Sequence, residues 1–98
     1  MIKELLKSAK GFKWDEFNAR KNLIKHHVRP SEAEQLFFNE PLIVNRDVGH
    51  SLLEPRYYVL GRTDAGRLLF AAFTIRKERI RIISIRDMSR QERRIFQS

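Results

Sequence analysis

The chain has 98 residues, a formal net charge of +8 and no cysteine. That length allows one compact domain and excludes a multidomain enzyme, and the missing thiols exclude disulfides, thiolate metal sites and thiol nucleophiles. The positive balance, on a background that is 42% hydrophobic, favours a folded chain that attracts polyanions, nucleic acid or an acidic protein, by Coulomb attraction and counterion release.

Met1 to Lys10 places Ile2, Leu5, Leu6 and Ala9 at helical spacing between lysines, as a short amphipathic helix or a frayed extension would. It lacks the continuous apolar stretch of a signal peptide. Elsewhere no apolar run approaches the roughly 20 residues that span a bilayer. A reducing cytoplasm and no membrane partner are therefore expected. Phe12-Lys13-Trp14 alternates like a short strand. Asp15 offers an N-cap, and the spacing predicts a helix to His26 with Phe17, Leu23 and Ile24 on its core side. Trp14 is expected to staple that helix, and Asn22 to bond backbone of a neighbouring segment. A second helix is expected from about Pro30 to Phe38, with Ala33, Leu36 and Phe37 inward. Two start signals compete there: Pro30 at the first helical position, and the box Ser31-x-x-Glu34.

Strands follow at Leu42–Val44, Arg56–Arg62, Arg67–Ile75 and Arg79–Ile85. They are joined by a loop over 45–53, a turn at Thr63–Gly66 and a tight connection at Arg76–Glu78. Connections this short imply an antiparallel meander. Ser89-x-x-Glu92 opens a C-terminal helix that runs to about Phe96. The expected fold is α+β: two N-terminal helices, an antiparallel sheet and one C-terminal helix. Residues 1–11 form an extension and 12–98 a single domain.

A two-residue period puts Ile80, Ile82, Ser84 and Arg86 on one face of the last strand, and Arg79, Arg81, Ile83 and Ile85 on the other. Arginine on both faces is costly to bury, so at least one face should meet solvent or a polyanion. The alternative for Arg81 or Arg86 is a structural ion pair with a carboxylate such as Asp15 or Glu92. His26 is the expected titrating group. Its imidazole can take the proton of a ribose 2′-hydroxyl or supply one to the leaving 5′-oxygen, and a helix C-terminus would favour its charged form. Lys25 beside it can hold phosphate, although both residues also suit a helix end on dipole grounds alone. Glu54 can act as a base or orient Arg56. Tyr57 and Tyr58 can stack on bases, one of them being expected in the core. No metal-ligand spacing and no glycine-rich phosphate loop stand out, so no cofactor or metal is expected.

Phe12-Lys13-Trp14-Asp15-Glu16 followed by Asn22-Leu23-Ile24-Lys25-His26 resembles the opening of the BrnT family of toxins. Glu54-x-Arg56-Tyr57, Gly61-Arg62, Arg81-Ile82-Ile83-Ser84-Ile85-Arg86 and Glu92-Arg93-Arg94 resemble its strands and terminal helix. The resemblance implies a RelE-like fold and a metal-independent endoribonuclease that arrests growth by cutting RNA and blocking translation. It also implies a BrnA-type antitoxin with a DNA-binding segment, whose complex with the toxin represses its own operon. The family's charged motif positions fall on Lys25, His26, Glu54, Arg56, Arg81 and Arg86, which form the expected catalytic set. Tyr58, Arg79 and Ser84 are assigned to RNA binding. The free chain is expected to be monomeric, with the antitoxin over the positive sheet face. The family usually has glycine where His27 stands, and a positive φ there would cost about 1 kcal/mol. Pro30 and Pro55 also replace usual non-proline residues, and Pro55 should sit at an edge or a strand start. The alternatives are a non-catalytic RNA-binding module, a degenerate toxin, or a structural subunit of a nucleoprotein particle.

Overall fold

The computed structural model describes residues 2–50 and 54–98. In chain order the elements are α1 (Ile2–Lys7), α2 (Glu16–His26), α3 (Pro30–Gln35) with a 3₁₀ turn at Leu36–Phe38, and β1 (Ile43–Arg46). A second 3₁₀ turn at Val48–His50 precedes β2 (Tyr57–Arg62), β3 (Leu68–Arg76), β4 (Arg79–Asp87) and α4 (Arg90–Gln97). The strands form one antiparallel sheet in the order β1-β2-β3-β4, the expected meander. The start of the expected loop over 45–53 is taken into β1 and the second 3₁₀ turn; its end, with Ser51, lies outside the described residues. The side-chain positions expected of Ile2 and Leu5 also lie outside them.

Local chemistry sets the helix ends. The Asp15 carboxylate accepts from the backbone N–H of Phe17 at 2.8 Å and of Asn18 at 3.2 Å, so α2 starts where the N-cap signal placed it. Pro30 wins the contest at α3. Glu32, not Glu34, closes the first turn by accepting from the Arg29 N–H at 3.0 Å. Glu34 instead accepts from the Trp14 indole at 2.7 Å and ties the entry of α2 to α3. At α4 the box forms as read: the Glu92 N–H reaches the Ser89 hydroxyl and the Ser89 N–H reaches the Glu92 carboxylate.

One side of the sheet carries the main core, with Val59, Leu69, Ala71, Phe73, Ile80, Ile82 and Ile85 against Val28, Ala33 and Leu36. Gly61 lies so close to Leu36 and Leu42 that a Cβ would stand 3.2 Å from each, which lets α3 settle on β2. On the other side α4 covers one end of the sheet, burying Phe96 and Met88 with Leu60 and packing on Ile43, Leu68 and Phe70. On the remainder of that second face Arg79 is exposed, and Arg81, Ser84 and Arg86 are half-buried beside the buried Ala72 and Thr74.

Two expectations fail for definite reasons. The alternation read along β4 breaks at a bulge: Ala72 pairs with Ser84 and Phe73 with Ile82, so Ile83 has no opposite residue. The extra residue reverses the phase. Ile80, Ile82 and Ile85 therefore share the core face, and Arg79, Arg81, Ser84 and Arg86 share the second one, so the arginines are not divided between faces. Second, Phe17, Leu23 and Ile24 of α2 face solvent. The buried residue of α2 is Asn22, whose carbonyl accepts from the Ile85 N–H on the outer edge of β4 at 3.3 Å. A strand edge needs a polar partner, and satisfying that need turns the helix. Further along the same edge, Phe12 makes an isolated parallel bridge: the Ile80 N–H donates to Gly11 and the Lys13 N–H to Ile80.

Candidate active site

The second sheet face has a floor of Phe70, Ala72 and Thr74, of which Ala72 and Thr74 are buried. Tyr58 stands opposite Ala72, and Arg81, Ser84 and Arg86 stand opposite Thr74, Ala72 and Phe70. Tyr57 points the other way and stacks on Phe73 in the core, whereas Tyr58 stacks on Phe70 with centroids 5.5 Å apart. The Arg86 guanidinium lies 4.1 Å from the Phe70 ring centroid, so an arginine, two aromatic rings and a serine form one amphipathic strip.

Charged side chains collect at its two ends. At the hairpin end, Glu54 makes a two-bond ion pair with Arg76, at 2.6 and 3.3 Å. The hydrogen bond from Arg76 holds the Glu54 carboxyl below the usual carboxylate range, and the charges of Arg81 and Arg56 push the same way. Arg79 pairs across the hairpin with Arg76. Pro55 lies just ahead of β2, and its carbonyl accepts from the buried Thr74 hydroxyl at 2.8 Å. This end thus brings Glu54, Arg56 and Arg81 within electrostatic reach of one another.

The opposite end holds His26, Lys25 and Arg86. Burial lowers the His26 pKa from its ordinary value; Lys25 and Arg86 lower it further, against an opposing pull from Asp87. These influences favour the uncharged imidazole, the reverse of what the helix dipole alone led one to expect. Arg86 makes the ion pair anticipated with Glu92, at 2.8 and 3.1 Å, and also reaches the Asp87 carbonyl at 3.1 Å. These bonds use three of the five guanidinium N–H groups. Along β4, Arg81 and Arg86 stand roughly 15 Å apart, four to five residues of extended chain.

Sequence reasoning missed Arg67. Its guanidinium donates to the carbonyls of His26 and His27, each at 2.9 Å, and to both Asp87 oxygens at 2.8 and 3.1 Å. It gathers the end of α2 and the end of β4 at one point. His27 takes the left-handed conformation, φ 56°, which is the turn that glycine would adopt without strain. Nothing in local spacing links Arg67 to residues 40 positions earlier; only the sheet register does. Among the described residues, no cluster of three or more His, Cys, Asp or Glu side chains is placed to hold a metal ion.

The family model described as "Ribonuclease toxin, BrnT, of type II toxin-antitoxin system" matches residues 14–92. The chain belongs to the BrnT family. Membership makes it a ribonuclease toxin of a type II toxin–antitoxin system, with RNA as substrate and an antitoxin as partner. The crystal structure of the Brucella abortus ribonuclease toxin, BrnT, aligns with a TM-score of 0.62 at 18% identity, over 82% of this chain and 97% of that one. At that identity the likeness speaks for the fold, and it agrees with the α+β meander of BrnT. No curated protein matches the chain. The BrnT match begins at Trp14, so α1 and the Phe12 bridge precede it. Among the described residues, no helix is long and apolar enough to cross a membrane.

Proposed function

We propose that the chain is a metal-independent endoribonuclease that cuts by attack of a ribose 2′-hydroxyl on the adjacent phosphodiester. The observation that supports this reading is the position of His26 within electrostatic reach of Arg86, whose charge helps to lower the imidazole pKa, at one end of an arginine-bearing sheet face. His26 takes the 2′-hydroxyl proton, the 2′-oxygen bonds to phosphorus, and the P–O5′ bond breaks. The proton then passes from the imidazolium, directly or through water, to the departing 5′-oxygen, leaving a 2′,3′-cyclic phosphate and a 5′-hydroxyl. Arg86 and Lys25 neutralise the charge that gathers on the phosphoryl oxygens. Arg56, Arg81 and Arg79 hold neighbouring phosphates. Tyr58 stacks on a base, and Ser84 bonds a ribose or a base edge. Glu54, held ionised by Arg76, orients the guanidinium groups and is a poor proton acceptor at neutral pH. Cutting of this kind stops translation in the cytoplasm. The antitoxin is of the BrnA type, binds DNA and represses its own operon in the complex, while the free toxin is a monomer.

Purified chain mixed with RNA in EDTA should yield 2′,3′-cyclic phosphate and 5′-hydroxyl ends, and His26→Ala should abolish them with the fold intact. A strict requirement for magnesium would rule the mechanism out. A non-catalytic RNA-binding module or degenerate toxin is the second reading. It draws on the ion pairs that already engage Arg86 and Arg76, and it predicts salt-sensitive binding with the RNA left whole.

A further inference from the structure

We infer that the outer face of α2 is the antitoxin's docking stripe, and that its occupant is an amphipathic helix of the antitoxin with apolar anchors flanked by acidic residues. Phe17 is 73% exposed, Ile24 68% and Leu23 45%. Phe17 and Ile24 are seven residues apart, two helical turns, and so lie on one line about 10 Å long. Scattered exposed apolar residues need no explanation, but an aligned pair with a third beside it is an unpartnered helix face. It arises because Asn22, on the opposite side, is committed to the edge of β4. Arg20 and Lys21 lie to either side of the apolar line, with Lys25 beyond Lys21. Apart from Glu16 at its start the rim is basic, and a helix carrying acidic residues beside its apolar anchors meets it with complementary charge.

The position gives docking a consequence. The stripe runs to Lys25, which the proposed reaction uses on phosphate, so a helix laid along it covers that side chain; His26, four residues after Asn22, projects from the opposite side of α2. The docking stands on exposure and charge alone; the inhibition that follows from it rests on the proposed role of Lys25. A second apolar opening, a groove of about 1020 Å³ between α1 and the Phe37–Leu42 segment, has Lys7 and Glu40 as the charged residues of its described lining.

The test uses the antitoxin encoded with this chain, co-expressed and purified as the complex. Hydrogen exchange should slow over residues 16–26 on binding. Phe17→Asp with Ile24→Asp should weaken the complex on the order of a hundredfold, by removing two apolar anchors and setting acid against acid. Because both positions are exposed, the free variant should keep its melting temperature and its RNA cleavage within twofold. An antitoxin affinity unchanged by the double substitution would overturn the proposal, as would protection over Phe37–Leu42 in place of α2. RNA cleavage falling while antitoxin affinity holds would assign the stripe to RNA. A free dimer abolished by the substitutions, with affinity unchanged, would assign it to a second copy. If the antitoxin fails to bind even the unaltered chain, the partner reading falls too, which separates that failure from a failure of the stripe alone.

Discussion

Arg67 shows how a residue remote from the proposed reacting groups can govern them. One planar guanidinium bonds two carbonyls at the end of α2 and a carboxylate at the end of β4, so it fixes the backbone from which His26 projects. A misplacement of about 1 Å can cost a reaction of this kind on the order of a hundredfold. Arg67→Ala is expected to lower kcat by roughly ten- to a hundredfold with KM little changed, and Arg67→Lys, which cannot span all four acceptors, to recover only part of it. Steady-state kinetics on a short RNA would decide this, and an unchanged kcat would remove Arg67 from the account. Lys25 acts on the same imidazole through charge. Its removal takes away one cause of the lowered His26 pKa, so Lys25→Ala should move the His26 titration upward in an NMR pH series.

Among the elements, those with local signals were legible in the sequence. Asp15, Pro30, Ser89 and the alternation along β2 and β3 specify their segments within a few residues, and the structure follows them. What the sequence hid depends on distant partners. The bulge at Ile83 appears only when β3 is laid beside β4, and it moves Arg86 onto the face of Arg81. The turn of α2 depends on an unsatisfied N–H of β4 some sixty residues later, and no periodicity within α2 announces it. Lys25, His26, Glu54 and the arginines could be named, but not sorted into two ends of a face. His27 belongs to this scale as well. Its left-handed backbone is strained for any residue but glycine or asparagine, so His27→Gly should stabilise the fold by about 1 kcal/mol, raising Tm by roughly 4–8 °C. The same Glu92 carboxylate caps α4 and grips Arg86. The bond from Arg86 holds its pKa below the usual value, so the pair contributes above the unfolded carboxylate pKa and is lost as pH falls through the depressed one. Glu92→Gln should cost about 1–2 kcal/mol at neutral pH and correspondingly less in acid, which denaturant titrations at several pH values would reveal.

At the scale of the molecule, the chain divides its surface by task. One sheet face is filled by the core, and α4 covers part of the other, beside the arginine and aromatic strip that the proposed function assigns to RNA. The outside of α2, excluded from the core by the demands of a strand edge, is left apolar and basic for a protein partner. The central claim is that an uncharged His26 beside Arg86 is the base that starts cleavage. Its most direct test is the pH dependence of kcat/KM for RNA cleavage, measured for the unaltered chain and for His26→Ala. The account predicts a rate that climbs with pH to a midpoint below about 6.5, matching the His26 titration, with that limb missing from a severely slowed variant. The same rising limb in His26→Ala, or cleavage by that variant at the unaltered rate, would contradict it.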